Sequence, residues 1–165
     1  MATFAGGRVY ERLGVRPVIN AMGNQTILGG STSPAPVREA MDEADLHFVE
    51  MRELLEKSGD FIADVLGTES AYVTSGCAAA ITLSVAGCMA GTDPDKIGRL
   101  PDTTGMKNEV IIQKRQRYSF DRCFTLSGGK LVVVGDEDGC SADQLESAIG
   151  PNTAAVAYII NAAEP

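Results

Sequence analysis

From residue 70 onward, short apolar stretches, some with a polar residue at either end, alternate with helix-forming segments, and this alternation constrains the fold more than any other feature of the chain. The apolar runs fall at 70–74, 109–113, 131–134 and 154–160. They lack the apolar–polar alternation of a strand with one wet face, so they read as strands of a buried, parallel sheet. Helical segments separate them: 76–90, 119–126, and one that opens with the capping box Ser141-Ala142-Asp143-Gln144 and closes at Gly150. The pattern predicts an α/β chain, a three-layer αβα arrangement around a mainly parallel sheet. Right-handed crossovers then gather the strand C-termini along one edge, where open α/β sheets bind ligands. Residues 74–76, 114–118, 135–138 and 161–165 fall at that edge.

The part before residue 70 is different. A weak helical signal covers 9–13, and 17–20 reads as a short strand. Residues 21–33 form a polar, Gly-rich loop of a kind that is a connector or carries function. Ser33 with Pro34 and Pro36 marks a helix start. Helical text runs from there to Leu66, with Leu54, Phe61, Ile62 and Val65 as its apolar stripe and an interruption around 48–51. The expected organisation is an N-terminal arm and loop over 1–33, then an incomplete large domain over 34–165.

Charge and cysteine content exclude several functions. The 165 residues carry a formal net charge of −8. Their densest basic group, Lys114, Arg115 and Arg117, is too short for a nucleic-acid footprint. No apolar run is long enough to span a bilayer, and the first residues lack the pattern of a signal peptide. Cys77, Cys88, Cys123 and Cys140 form no C-x-x-C pair, and the one histidine, His47, has no ligand-like neighbours. This argues against zinc and for a reduced, cytoplasmic chain.

Ser75-Gly76-Cys77 lies where the first apolar run turns into a helix, and it has three readings. It is a tight connection that needs glycine. It is an anion cup, built from Ser75 Oγ and the amides of Gly76, Cys77 and Ala78 at a helix N-terminus. Or it presents Cys77 as a nucleophilic thiolate, a reading that lacks a nearby base. No G-K-[ST] follows, and there is no G-x-G-x-x-G, so the turn is neither a Walker nor a dinucleotide motif.

Five segments in collinear order add a family resemblance: 19–23 (INAMG), 28–31 (LGGS), 73–79 (VTSGCAA), 100–103 (LPDT) and 107–113 (KNEVIIQ). Together they resemble the selenocysteine-synthase-like group of fold-type I pyridoxal-phosphate enzymes. That group includes L-seryl-tRNA(Sec) selenium transferase and D-glucosaminate-6-phosphate ammonia-lyase. The resemblance implies the N-terminal part of the aspartate-aminotransferase-like large domain, with Ser75, Gly76 and Cys77 holding the phosphate of pyridoxal 5'-phosphate. It places Gln116 over the cofactor ring, where close relatives tend to have histidine. It puts Asn20, Gly29, Gly30 and Ser31 beside an amino substrate and near a subunit boundary, with Arg117 on an anionic substrate group and Lys107 near the substrate.

The Schiff-base lysine and the aspartate for the pyridinium nitrogen lie, in this family, beyond the segment matched here. None of Lys57, Lys96, Lys107, Lys114 and Lys130 stands at the lysine's place. The expected protein is therefore part of a lyase or transferase acting on an amino acid or amino sugar phosphate, by α,β-elimination or selenium-transferase-like chemistry. This chain would be inactive alone, and the full-length form a homodimer or higher homo-oligomer. The alternative is a non-catalytic α/β module that binds a phosphorylated small molecule or a partner chain.

Overall fold

The structure, a computed structural model, describes residues 8–160. The expected sheet-edge segment 161–165 lies outside the described residues. The chain divides into two compact units between Leu54 and Leu55.

In the first unit, α1 (Arg8–Arg12) occupies the weak helical signal. The strand expected at 17–20 does not form, and Val18 and Ile19 are exposed. An isolated extended run leaves its amides without partners, and no described strand offers them any. The Gly-rich loop is locally ordered by a single 3₁₀ turn, Thr26–Leu28, closed by an antiparallel bridge between Gln25 and Gly30. Helix α2 (Ala35–Ala44) starts at Pro34, with Pro36 in its first turn, where a missing N–H costs nothing. The expected interruption separates α2 from α3 (Met51–Leu66), which straddles the division between the units.

In the second unit, three parallel strands, β1 (Glu109–Gln113), β2 (Lys130–Val134) and β3 (Thr153–Ala157), are ordered β2-β1-β3. The register pairs Val110 with Leu131 and Ala155, and Ile112 with Val133 and Ala157. The central strand is covered on both faces: Val110, Ile111 and Ile112 are 1%, 0% and 0% exposed. Its apolar side chains suit a site with no wet face.

Helix α4 (Cys77–Ala90) packs on the Val110–Ile112 face through Val85 and Met89, four residues apart, and Phe124 completes the cluster. The small residues of 76–90 read as a buried helix, but α4 is buried on one side only, because Cys77, Ala78, Leu83, Ser84 and Cys88 are exposed. Small residues let α4 approach the sheet, but only one of its faces has an apolar surface to meet. The helix ends at Gly91 (φ 57°), as its glycine suggests. Asp93 caps α5 (Pro94–Arg99) by accepting bonds from the amides of Asp95 and Lys96. The capping box at Ser141 and Gln144 is formed and starts α6 (Ala142–Ala148).

Two further expectations are corrected. Residues 70–74 are extended but are not a buried strand: Tyr72 is 66% and Val73 43% exposed, and no described strand pairs with them. What supports this run is α3, where a Cβ on Gly59 would sit 2.4 Å from the Ala71 carbonyl oxygen. The helix expected over 119–126 is reduced to a 3₁₀ turn, Asp121–Phe124. Burial of Cys123 and Phe124 and the approach to β2 leave room for little more.

Candidate functional site

The parallel register places Gln113, Val134 and Ala157 at one edge of the sheet. The first residue of α4 stands at the same edge, because Cys77 shares a cavity wall with Tyr118, Tyr158 and Ile160, which follow β1 and β3. That cavity has a volume of about 590 Å3 and is mostly apolar, with Ile81, Val85 and Phe124 among its lining residues.

Ser75, Gly76 and Cys77 are exposed, Cys77 lines the cavity, and α4 has no side-chain cap at its N-terminus. The first amides of a 14-residue helix are therefore left to an external acceptor. Gly76 has φ 144°, a conformation that favours glycine, and a Cβ there would meet nothing within 4 Å. Glycine is needed at this turn for its backbone shape rather than for space. The Thr74 hydroxyl stabilises the turn locally, donating to the Gly76 carbonyl at 3.0 Å and accepting from the Gly76 amide at 3.4 Å. Of the three amides expected to line the cup, that of Gly76 is thus already engaged, and those of Cys77 and Ala78 lie in the uncapped first turn.

The segment after β1 is a 3₁₀ turn, Lys114–Gln116. It turns Gln116 inward, where its carboxamide donates to the Ile159 carbonyl (3.3 Å) and accepts from the Ile159 amide (3.2 Å). The Arg117 guanidinium is bound by the Asp121 carboxylate, whose other oxygen accepts from the Tyr118 amide at 3.2 Å. Tyr118, which sequence reading passed over, is the residue of this segment that reaches the cavity. Its hydroxyl is pushed above the ordinary 10.0, first by partial loss of solvent and then by Cys77, Cys123 and Asp121. Its position a few residues past a strand at the binding edge was the available signal.

Asn20, Gly29, Gly30 and Ser31 belong to the first unit. Asn20 closes a local turn, donating to the Gly23 carbonyl at 2.6 Å and accepting from the Met22 amide at 2.9 Å. Gly29 and Gly30 both have φ 83° and shape the end of the 3₁₀ turn. Ser31 is exposed. His47 is also in the first unit, beside Glu43 and Val49. Four of the five lysines face carboxylates across exposed ion pairs: Lys57 with Asp60, Lys96 with Asp93, Lys114 with Glu137 and Lys130 with Glu109. Lys107 is exposed. No group of His, Cys, Asp and Glu among the described residues could hold a metal ion, and no described helix is long and apolar enough to cross a membrane.

The parallel sheet, the uncapped start of α4 and the cavity beside it define an α/β protein, and comparison with known proteins makes that class specific. The chain is 37% identical over 155 residues to the D-glucosaminate-6-phosphate ammonia lyase of Salmonella typhimurium, covering 92% of this chain and 42% of that protein. It is equally identical, 37% over 155 residues, to a 5'-C-glycyluridine monooxygenase-decarboxylase from a Streptomyces species, covering 91% of this chain and 39% of that protein. The solved structure of D-glucosaminate-6-phosphate ammonia-lyase superposes with a TM-score of 0.89 at 35% identity, over 93% of this chain and 43% of that one. No family model matches. The chain spans about two fifths of the length of these relatives. It is a homologue of the D-glucosaminate-6-phosphate ammonia-lyase and has that enzyme's αβα fold over the part they share.

Proposed function

We propose that the chain is the phosphate-holding part of a pyridoxal-phosphate lyase that eliminates a β-substituent from an amino sugar phosphate or an amino acid. The observation that carries the reading is the uncapped start of α4 at Ser75-Gly76-Cys77, with Cys77 lining the cavity, in a chain that superposes on an amino sugar phosphate lyase. The residues suit the cofactor's phosphate. The Ser75 hydroxyl and the amides of Cys77 and Ala78 would donate to its oxygens, and the dipole of α4 favours an anion there. When bound, the cofactor supplies an electron sink for a carbanion at the substrate's Cα.

The chain's own contribution is binding and orientation. The cup holds the phosphate end, the apolar lining of the cavity gives a surface for the uncharged part of the ligand, and Tyr118 offers a neutral hydroxyl at neutral pH. Arg117, already paired with Asp121, would take an anionic substrate group by sharing its guanidinium. In this reading Gln116 borders the cofactor, and Asn20, Gly29, Gly30 and Ser31 in the arm 1–33 serve the substrate side. The pairing of four lysines at the surface supports a covalent lysine supplied from outside these residues. Large exposed apolar side chains, among them Ile27 (91%), Phe48 (108%) and Ile160 (88%), support burial against further protein in a homo-oligomer. Four free cysteines suit a reducing cytoplasm.

The test is made on the product of the complete gene. It should show a visible absorption band with pyridoxal phosphate that borohydride bleaches, and it should release ammonia from an amino sugar phosphate. A protein that stays colourless with added cofactor would overturn the proposal.

A further inference from the structure

Gln116 is one of the two buried polar residues among those described, 9% exposed in a run whose other members, Lys114, Arg115 and Arg117, are outside. Burying a carboxamide is unfavourable unless both its ends are bonded. Here both are bonded, and to one distant residue: the side chain takes up the N–H and the C=O of Ile159, 43 positions away.

That arrangement copies what a neighbouring strand does. The regular β1–β3 register stops at Ile112 and Ala157. Beyond it, Tyr158, Ile159 and Ile160 have no strand partner on the β1 side, because the chain after Gln113 turns away into its 3₁₀ turn. The Gln116 side chain stands in for the missing peptide group. Tyr158, Ile159 and Ile160 form the wall of the cavity next to Cys77, and Tyr118, two residues after Gln116, forms another part of that wall. One carboxamide therefore ties together both segments that face the first turn of α4.

We infer that Gln116 is a positioning residue, whose bonds to the Ile159 backbone hold the end of β3 and the segment carrying Tyr118 in place around the cavity at the Ser75-Gly76-Cys77 turn. The inference rests on the reading of that turn as a cofactor site only for its effect on binding. The clamp itself rests on the two bonds. It gives the two polar ends of the carboxamide a role alongside the proposed place of Gln116 beside the cofactor.

The test compares Gln116→Met, which keeps the side chain's length and loses both bonds, with Gln116→Glu. Amide exchange and pyridoxal-phosphate affinity are both measured. In Gln116→Met the Ile159 amide should exchange about tenfold faster or more, while Val110, Ile111 and Ile112 keep their protection. The dissociation constant for pyridoxal phosphate should rise about fivefold, as expected when one wall of a formed site loosens. At neutral pH Gln116→Glu keeps an acceptor for the Ile159 amide but cannot donate to the Ile159 carbonyl, so Ile159 protection should fall between that of the parent and that of Gln116→Met. It should recover as pH falls and the protonated carboxyl again donates and accepts.

Unchanged Ile159 protection in Gln116→Met would overturn the clamp. So would lost protection with unchanged affinity, because Gln116 would then be structural and without influence on the site. If the unmutated protein does not bind pyridoxal phosphate, the cofactor reading fails, and the clamp is still decided by the Ile159 exchange of the two variants.

Discussion

Two stretches of similar apolar character have opposite fates in this molecule. Val110-Ile111-Ile112 lies at the centre of the sheet, with a strand on either side and essentially no exposure. Ala71-Tyr72-Val73-Thr74 is extended but pairs with no described strand, and its large side chains face outward. The difference teaches that an apolar run specifies an extended backbone locally, while burial is conferred by whatever lies alongside. Beside β1 those neighbours are β2 and β3. Beside Ala71 there is the close approach of Gly59, and the run leads directly into the Ser75-Gly76-Cys77 turn.

The contrast can be broken by substitution, and the largest effect belongs to the sheet centre. Ile112→Ala should cost about 2–5 kcal/mol, since the side chain is fully enclosed and its cavity is bounded by Val85, Met89 and Phe124. A denaturant titration monitored by circular dichroism reads this as a lowered midpoint. Gly59→Ala follows, at about 1–3 kcal/mol, because the added methyl meets the Ala71 carbonyl, which is backbone and yields poorly. Thermal melting would show it, and a neutral outcome would mean that α3 does not support the extended run. Ser141→Ala should cost about 1 kcal/mol through loss of the α6 capping box. Val73→Ala, at an exposed and unpaired site, should change stability by less than about 0.5 kcal/mol. A loss as large as that of Ile112→Ala would erase the distinction between the two stretches.

The smallest effect is a pH dependence. The Asp102 carboxyl is held below its ordinary 3.8, first by the Thr104 hydroxyl, then by the Thr104 amide, with Arg99 adding a weaker pull against partial desolvation. A lowered carboxyl stabilises the fold above the ordinary value, and that stabilisation is lost as pH falls through the folded-state value. Asp102→Asn should therefore match the parent in acid and fall slightly below it at neutral pH, a difference visible in melting temperatures measured across that range.

What was legible in the sequence was what short range decides. The capping box at Ser141 needs only Gln144, three residues on. Asp93 needs only the next turn, and Gly91 only its own backbone freedom. The three paired strands were legible because their apolar runs are bounded by turn residues, whereas the order that puts β1 at the centre was not. Features that depend on distant partners were not legible. Nothing near Gln116 indicates that Ile159 will engage both ends of its amide. Nothing in 17–20 or 70–74 reveals whether a strand will lie beside them. Arg117 was placed on an anionic substrate group, and its pairing with Asp121, only four residues on, was not foreseen because it depends on the 3₁₀ turn that replaces the expected helix. Of the site, the Ser75-Gly76-Cys77 turn was readable as a strand-to-helix junction, whereas the place of Tyr118 in the cavity depends on the course of the chain after β1.

The central claim is that the first turn of α4 receives the phosphate of pyridoxal phosphate, and amide NMR of the protein during ligand titration tests it most directly. With pyridoxal phosphate, and more weakly with inorganic phosphate, the amides of Cys77 and Ala78 should shift saturably, while pyridoxal without its phosphate should leave them in place. Equal shifts with pyridoxal, or saturable shifts confined to residues around the surface lysines with Cys77 and Ala78 unmoved, would contradict the account.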